Sequence, residues 1–392
     1  MSDATPTQVS FPGITATLEP PRLLARKQDY FWRPTLAVLG RGELLALVNT
    51  HSDQFVTANT ADVLCSQDNG RTWGHPWPLA PAGWVVGPGA HEESIFILPY
   101  NAIYFADRSR CALMASRVTV ARGGHAISTE LGAVQVSLPR PVATTNAYLQ
   151  PQQRTLARFE QPVMFFWGHP VSLPDGALVT TMFGAWADAP TFRNVIVVRS
   201  HDGGRRWDYI GTVAQPEHFD CTSGGCAESS LVLLEDGALL CIFRVNGAQP
   251  EPDPSYGRAI SGDGGRTWSR PTLLAPNVGR VDPHLRRLSN GILALIGGRP
   301  GFSVWFATDG RGETWHELDL LAHHNGHVPR SPIRAVAHHR GGTSSYGGIV
   351  EVTPNRLLIA YDRLPGGWDR LPPGADEWNE VYTISLGVER AG

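Results

Sequence analysis

The chain of 392 residues has a formal net charge of −3, and charged residues make up 18% of it. This near-neutral balance argues against a role in which bulk charge binds nucleic acid or a membrane surface. No run of 18 apolar residues occurs, so no membrane span is predicted, whereas 42 Gly and 31 Pro suit a chain with many turns.

The N-terminal segment, MSDATPTQVSFPG, lacks the basic and apolar regions of a signal peptide. We therefore expect a cytoplasmic protein with reduced cysteines. In an exported protein, Cys221 and Cys226 would be able to pair, because only Thr-Ser-Gly-Gly separates them. Residues 1–24 are interpreted as an N-terminal extension and residues 25–392 as a single domain.

Short apolar runs that continue on both sides of a turn predict β-hairpins. Four runs have a central Gly, namely VLGRGELLAL, SLPDGALVTT, LLEDGALLCI and RLSNGILALI, and FILPYNAIYF and EVTPNRLLIA are weaker copies. The six predicted turns lie at Gly42, Asn101, Gly176, Gly237, Gly291 and Arg356.

A polar turn with the pattern Ser-x-Asp-x-Gly-x-x-Trp recurs at residues 66–73, 200–207 and 261–268, with an altered copy at 307–315. In such a turn Asp accepts hydrogen bonds from the backbone, Gly adopts a positive φ, and Trp packs on apolar surface. The Asp follows the hairpin Gly by the same interval in three units, from 42 to 68, 176 to 202 and 237 to 263. Six phased units of four strands predict an all-β fold, namely a six-bladed β-propeller of four-stranded antiparallel blades.

The predicted propeller places the starts of the inner strands around one mouth of a central channel, about nine residues before each hairpin turn. Charged and aromatic residues gather at these starts, where a core strand would prefer apolar ones. They are Trp32 and Arg33, His91 to Glu93, Trp167 to His169, Glu228, Asp282 to His284, and Ser345 and Tyr346; the returning strands end at Asn49, Arg244, Arg299 and Asp362. Convergent polar groups in a concave mouth predict a ligand site.

The segment 321–342 holds five of the 14 His residues, and imidazoles are good metal ligands. No carboxylate falls within that segment, so we expect neither a metal nor another cofactor. The partner expected is a carbohydrate substrate, with no nucleic acid and no membrane.

The polar turns, known as Asp boxes, together with the phased hairpins and the charged mouth, resemble the sialidase (neuraminidase) superfamily over residues 25–388. That resemblance implies an exo-glycosidase in which three Arg hold the substrate carboxylate, a Tyr–Glu pair supplies the nucleophile and an Asp is the acid/base. The residues at matching positions are Arg33, Arg244 and Arg299 for the clamp, Tyr346 and Glu228 for the nucleophile pair, and Asp53 for the acid/base.

The chain departs from the family pattern at the first Arg. Aligning Phe31-Trp32-Arg33-Pro34 on its Pro puts Trp32 in the Arg place, and one step along a strand turns a side chain to the other face. Trp32 would suit an uncharged sugar ring. Other residues expected to bind substrate are Glu92 and three histidines, which the family does not use: His51, His169 and His284.

Three functions therefore remain open. The first is a sialidase-like exo-glycosidase that hydrolyses terminal sugars, with sialic-acid-type residues among the candidates. The second is another carbohydrate-active enzyme on the same fold, either a different exo-glycosidase or a lyase with His or carboxylate chemistry. The third is a non-catalytic sugar-binding propeller. Arg33, Arg244 and Arg299 around one anion would favour the first function, and Trp32 in the channel would favour the second.

Overall fold

The computed structural model describes residues 6–52, 59–105, 107–122, 126–144, 161–249, 255–335, 340–367, 371–372 and 374–391. Strands dominate this part of the chain, and most pair antiparallel with a neighbour in sequence. The all-β prediction is confirmed.

The first strands form hairpins near the N-terminus and in the region we call group 1. The N-terminal strands are β1 (Thr7–Phe11), β2 (Ile14–Leu18) and β3 (Arg22–Lys27), and group 1 consists of β4 (Trp32–Val38), β5 (Leu44–Asn49), β6 (Ala61–Ser66) and β7 (Trp77–Leu79). All six residues of β5, LLALVN, are buried, because a continuous apolar run suits a strand that is covered on both faces.

Groups 2 and 3 follow. Group 2 contains β8 (Val85–Pro88), β9 (Ser94–Leu98), β11 (Arg110–Val120) and β12 (Ile127–Ser137). The short strand β10 (Asn101–Ile103) lies between β9 and β11 in sequence but pairs with a strand of group 3. Group 3 contains β13 (Val163–Phe166), β14 (Val171–Ser172), β15 (Leu178–Trp186), β16 (Ala189–Ser200) and β17 (Arg206–Ala214). Both β13 and β14 pair with β15, so they act together as one interrupted strand.

Groups 4 and 5 are regular four-stranded sets. Group 4 contains β18 (Gly225–Leu233), β19 (Leu239–Asn246), β20 (Ser255–Ser261) and β21 (Thr272–Leu273), and group 5 contains β22 (Val281–Arg287), β23 (Leu293–Gly298), β24 (Phe302–Ala307) and β25 (His316–Asp319). A 3₁₀ turn, Pro216–Phe219, precedes group 4, and helix α1 (Leu320–His327) follows group 5.

Group 6 joins the two ends of the chain. It contains β26 (Gly347–Thr353), β27 (Arg356–Arg363) and β28 (Asn379–Arg390). The first part of β28 pairs with β3, and its last part pairs with β2. Most of the predicted N-terminal extension is thus part of the last sheet.

The hydrophobic core of the described residues is divided into six clusters. Five of them join two neighbouring groups, and the cluster that joins groups 3 and 4 also includes Trp32, Trp84 and Tyr346. The contacts follow chain order: Leu45 clusters with Ile97, Phe96 with Met182, Val179 with Leu231, Leu240 with Leu295, Ile296 with Ile359, and Leu358 with Leu36. The last of these clusters joins group 6 to group 1.

Five of the six predicted hairpins form, and the four hairpin glycines have φ values from 80° to 94°. The hairpin predicted around Asn101 is wrong, because β10 pairs with β13 instead of β9. The turn of group 2 lies earlier, between β8 and β9, where Pro88 and Gly89 end the first strand and His91 to Glu93 are polar turn residues. These polar residues had been interpreted as the start of a strand.

The Asp-box turns have the expected geometry. Ser261 Oγ donates to Asp263 Oδ1 (2.8 Å) and accepts from the backbone N–H of Gly265 (2.9 Å), while Thr267 N donates to Asp263 Oδ1 (2.9 Å). The copies that begin at Ser66 and Ser200 repeat the serine contacts. These turns are therefore structural.

Other sequence features have clear places. The His-rich segment begins with α1, whose N-terminal residue Asp319 accepts a hydrogen bond from Ala322 N (3.0 Å), while His338 and His339 lie outside the described residues. Cys221 and Cys226 are free thiols. No helix in the described part of the chain is long and apolar enough to cross a membrane.

Candidate active site

Three strands that begin groups 1, 4 and 5 share a local distortion. Each has a bulge near its first residues, where the pairing shifts between Trp32 and Pro34, between Ala227 and Ser229, and between Val281 and His284. A residue inside each bulge has a positive φ, namely Arg33 (48°), Glu228 (27°) and Asp282 (48°). Because a bulge redirects a side chain, the three charged groups point to a common centre instead of alternating across their strands.

Tyr346 reaches the same centre from the residue before β26. The preceding residue, Ser345, also has a positive φ (63°). Tyr346 Oη donates to Glu228 Oε1 over 3.0 Å, and Arg244 Nη1 donates to the same oxygen over 3.0 Å. The other oxygen of Glu228 accepts from the backbone N–H of Asp282 (3.0 Å). The carboxylate of Glu228 is thus fixed, with the phenol proton directed at it.

The charge of Arg244 is secured by the same contact. Burial alone would lower the pKa of Arg244, but the carboxylate of Glu228, together with Tyr346, raises it above its usual value. Arg244 therefore stays protonated and keeps its hydrogen bond to Glu228.

Arg33 lies beside Tyr346 but is enclosed by other side chains. Its guanidinium carbon lies 3.5 Å from the ring centre of Trp84, 4.3 Å from that of Trp167 and 5.1 Å from that of Tyr346. Its Nη2 donates to Asp282 Oδ1 over 3.1 Å, and the two side chains are 2% and 0% exposed. Arg33 thus belongs to the site, in a buried ion pair.

Asp282 is the acceptor on which several donors converge. Besides Arg33, its Oδ1 accepts from Trp167 Nε1 (2.9 Å) and lies 3.3 Å from His284 Nε2. Burial would raise the pKa of Asp282, but the charge of Arg33 and then the contact with His284 lower it to about 2. Asp282 therefore carries a negative charge at neutral pH.

Asp362 ties Arg33 to the segment before Tyr346. Its carboxylate accepts from Arg33 N (2.8 Å), Thr343 Oγ1 (2.8 Å), Ser344 N (2.7 Å) and Ser344 Oγ (2.5 Å). Burial raises the pKa of Asp362, although these hydrogen bonds oppose the shift. The carboxylate of Asp362 thus connects the start of β4 in group 1 to the segment that precedes Tyr346 in group 6.

Arg299 and Trp32 complete the surroundings of Tyr346. The guanidinium carbon of Arg299 lies 5.3 Å from the ring centre of Tyr346, and its Nη2 donates to Ser344 O (2.9 Å). Trp32 packs edge-on against Tyr346 with 6.3 Å between ring centres. Because Arg33 is the extra residue of the bulge, Trp32 and Arg33 both face inward.

The three predicted histidines lie in two places. The ring of His51 contacts Trp32, and the backbone oxygen of His51 accepts from Trp32 Nε1 (2.7 Å); burial lowers the pKa of His51. His169 and His284 pack against each other with 5.3 Å between ring centres, and Val86 N donates to His169 Nδ1 (3.1 Å). Burial, followed by the proximity of His284, lowers the pKa of His169 well below its usual value.

Two predicted residues are not part of this cluster. Glu92 is exposed in the turn between β8 and β9, and its backbone oxygen accepts from Gly40 N (2.8 Å) in the first hairpin turn. Glu92 therefore lies with the hairpin turns, at the end of the strands opposite the cluster. The prediction fails because it assumes the hairpin turn of group 2 at Asn101, nine residues after Glu92. Asp53 lies outside the described residues.

Trp84 is absent from the predicted site, and the contacts of Trp167 and Asp282 with Arg33 are not predicted either. Trp84 immediately precedes β8, and the misplaced hairpin hid its position at a strand start. Trp167 and Asp282 were recognised as residues at strand starts, but nothing in their spacing indicated the ion pair with Arg33. The bulges at Arg33 and Asp282 are what bring these side chains together.

The chain is similar in sequence to known proteins. A family model described as a BNR repeat-like domain matches residues 144–355. Sialidases from Vibrio cholerae and Micromonospora viridifaciens are 27% and 28% identical over 197 and 251 residues, which cover 43% and 50% of this chain. The matched parts span only 22% and 38% of those proteins.

Solved structures show the same fold. A protein of unknown function from Dyadobacter fermentans has a TM-score of 0.62 at 17% identity, covering 97% of this chain and all of its own. A K499G mutant of the NanB sialidase from Streptococcus pneumoniae has a TM-score of 0.58 at 11% identity, covering 95% of this chain and 71% of its own. At these identities the similarity concerns the fold alone.

Proposed function

Since this chain belongs to the BNR repeat-like domain family, we propose that it is a sialidase-like exo-glycosidase that removes a terminal sugar with Tyr346 as its nucleophile. The observation that carries this proposal is the shared contact at Glu228 Oε1, where Tyr346 Oη and Arg244 Nη1 each lie 3.0 Å away. The similarity to sialidases supports the same class of reaction.

The six groups act in this proposal as the blades of a closed six-bladed propeller. Support comes from the succession of six core clusters, the last of which joins Leu358 of group 6 to Leu36 of group 1. In a propeller the first strands of all blades surround one axis. That arrangement accounts for the meeting of Arg33, Glu228, Asp282 and Tyr346, which come from four different groups.

The chemistry begins with a proton transfer. Tyr346 Oη gives its proton to Glu228 as the oxygen attacks the anomeric carbon, and the bond to the leaving oxygen breaks. The leaving oxygen takes a proton from an acid, a role that we assign to Asp53. Water then attacks the anomeric carbon of the sugar–tyrosine intermediate and gives a proton back to Asp53, while the bond to Tyr346 breaks and the phenol recovers its proton from Glu228. Arg244 holds Glu228 in place throughout.

The proposal is tested with a panel of 4-methylumbelliferyl glycosides that includes the α-sialoside and uncharged sugars. We expect the wild type to hydrolyse at least one of them, and Tyr346→Phe to lose nearly all of that activity. Tyr209→Phe is the matched control, because it removes a hydroxyl that hydrogen-bonds to Thr212 Oγ1 on the outer strand β17 and leaves the ring in place. Equal activity of wild type and Tyr346→Phe would sink the proposal.

One observation favours a second function, an enzyme that uses a His–carboxylate pair. His284 Nε2 lies 3.3 Å from Asp282 Oδ1, within reach for a base oriented by an acid. In that case His284→Gln would abolish turnover and Tyr346→Phe would preserve it. The opposite pattern supports the tyrosine mechanism.

A further inference from the structure

We propose that the buried Arg33–Asp282 ion pair determines the substrate preference of this site, so that it takes a terminal sugar without a carboxylate on the anomeric carbon. This inference rests on the proposed glycosidase function, which it narrows. Asp282 is then a specificity-determining residue, and Arg33 is a structural cation instead of a member of a substrate clamp.

The first argument concerns the availability of Arg33. A guanidinium binds a carboxylate of the substrate through N–H groups that face the substrate. Arg33 is 2% exposed, its guanidinium is covered by Trp84 and Trp167, and its Nη2 is engaged by Asp282. Its other nitrogens, Nε and Nη1, have no hydrogen-bond partner among the described residues, but they are buried. Among the three predicted clamp residues, this leaves Arg244, which holds Glu228, and Arg299, which also contacts Ser344.

The second argument concerns charge. Asp282 is fully enclosed within the described residues and carries its negative charge at neutral pH, so it already neutralises Arg33. A substrate carboxylate beside Arg33 would meet the like charge of Asp282 in a site from which water is largely excluded, where such repulsion is strong. An uncharged sugar meets no such repulsion.

The third argument concerns rigidity. Asp282 would release Arg33 only by turning away, but its backbone N–H is bound by Glu228 and its Oδ1 also accepts from Trp167 Nε1. The positive φ of Asp282, at 48°, fixes the direction of its side chain. The pair is therefore built into the site.

The tyrosine mechanism is compatible with such a substrate. Proton transfer from Tyr346 to Glu228 depends on their 3.0 Å contact and not on a charge in the sugar. An uncharged sugar also suits the indole rings of the site, since aromatic faces pack well on the apolar faces of pyranose rings.

The experiment measures the ratio of kcat/KM for the 4-methylumbelliferyl α-sialoside to that for the best uncharged glycoside. We expect the wild type to prefer the uncharged glycoside, and Asp282→Asn, which keeps the shape but removes the charge, to raise the ratio about tenfold or more. Asp175→Asn is the matched control, because it neutralises a carboxylate that pairs with Arg199 from the turn between β14 and β15; its ratio should equal that of the wild type.

A second variant separates the two roles of Arg33. In Arg33→Met the ratio should stay within about threefold of the wild type, because both rates fall together when Asp282 loses its buried partner. A clamp that used Arg33 would instead lose the sialoside selectively, by about 100-fold for a charge-assisted contact. Circular dichroism confirms that each variant is folded before its ratio is used.

The possible failures are distinguishable. Preference of the wild type for the sialoside, with no rise of the ratio in Asp282→Asn, overturns this inference and leaves the glycosidase intact. If no glycoside is hydrolysed, the proposed function fails, and tryptophan fluorescence during titration with 2,3-dehydro-N-acetylneuraminic acid decides the inference alone. Binding that is at least about tenfold tighter in Asp282→Asn supports it, and equal binding by both proteins overturns it.

Discussion

The Asp-box turns and the cluster around Tyr346 use similar means for different ends. Both rest on an Asp that collects hydrogen bonds and on residues with positive φ. In the turns the positive φ belongs to glycines such as Gly265, which adopt it without strain, and Asp263 is exposed. In the cluster it belongs to Arg33, Glu228 and Asp282, which are buried and for which this backbone is unfavourable.

The difference separates scaffold from function. A repeated turn with unstrained glycine serves stability, so it recurs along the chain, at residues 66–73, 200–207, 261–268 and, in altered form, 307–315. The strained, buried set of charges around Tyr346 is not a repeated element of the described strands, and backbone strain of this kind concentrates at functional sites. Substitutions in the cluster should therefore lower activity, whereas substitutions in the turns should lower the free energy of unfolding and leave activity unchanged.

The largest expected effect comes from Glu228→Gln. Loss of the carboxylate that takes the proton of Tyr346 should lower kcat/KM by about 10²- to 10⁴-fold on any substrate that the wild type hydrolyses. Glu351→Gln is the control, since Glu351 accepts from Ser289 N and Asn355 N at the hairpin turns. Equal activity of both variants would remove the distinction between the regions.

Asp263→Ala tests the scaffold side of the comparison. It removes the acceptor of Thr267 N and Ser261 Oγ, so the free energy of unfolding should fall by about 1 kcal/mol, as for the loss of a helix cap. Urea denaturation measures that change. The kcat/KM should remain that of the wild type, and a selective loss of activity would show that the turns contribute to the site.

The pH dependence of stability tests a third place, His324 in α1. Its Nδ1 lies 2.8 Å from Tyr361 Oη and its Nε2 lies 2.9 Å from Ser331 O, an arrangement that suits the neutral ring. Burial lowers the pKa of His324 to about 4. Because the unfolded chain takes up the proton first, this contribution is complete above about pH 6.5 and is lost as the pH falls toward 4.

To test this contribution, His324→Gln is compared with the wild type and with His75→Gln, a control at an exposed histidine. Melting temperatures measured from pH 7 to pH 4 should fall less steeply for His324→Gln than for the wild type and His75→Gln. Asp362, whose pKa is raised, acts in the opposite direction in every variant, so only the difference between curves is informative. Parallel curves would contradict the role of His324.

The smallest effect is expected for Glu92→Gln. Glu92 lies with the hairpin turns and not with the cluster, so kcat/KM should stay within about twofold of the wild type, as for most exposed positions away from special features. Steady-state kinetics on the best glycoside of the panel measures it. A loss as large as that of Glu228→Gln would return Glu92 to the site.

Much of the fold could be predicted because its signals are local. The Asp boxes depend on residues within eight positions of one another, and the hairpin glycines need only their own φ. The second hairpin was misplaced because its turn contains His91 to Glu93 and no central Gly or Asn, so an apolar run around Asn101 imitated a hairpin.

The site was only partly predictable, because bulges determine it. Alternation along a strand predicts that neighbours face opposite sides, so Trp32 and Arg33 were treated as alternatives. The bulge at Arg33 inserts one residue and lets both face inward. The ion pair to Asp282 joins residues 249 positions apart, and no spacing in the sequence indicates it.

The central claim is that Tyr346 becomes bonded to the sugar. The most direct measurement quenches the wild type with acid during turnover of its best glycoside and examines its peptides by mass spectrometry. The account predicts that the peptide containing Tyr346 gains the mass of one sugar residue, and that Glu228→Gln, which slows its formation, accumulates less. A sugar attached to another residue, or a product released with inverted anomeric configuration, would contradict it.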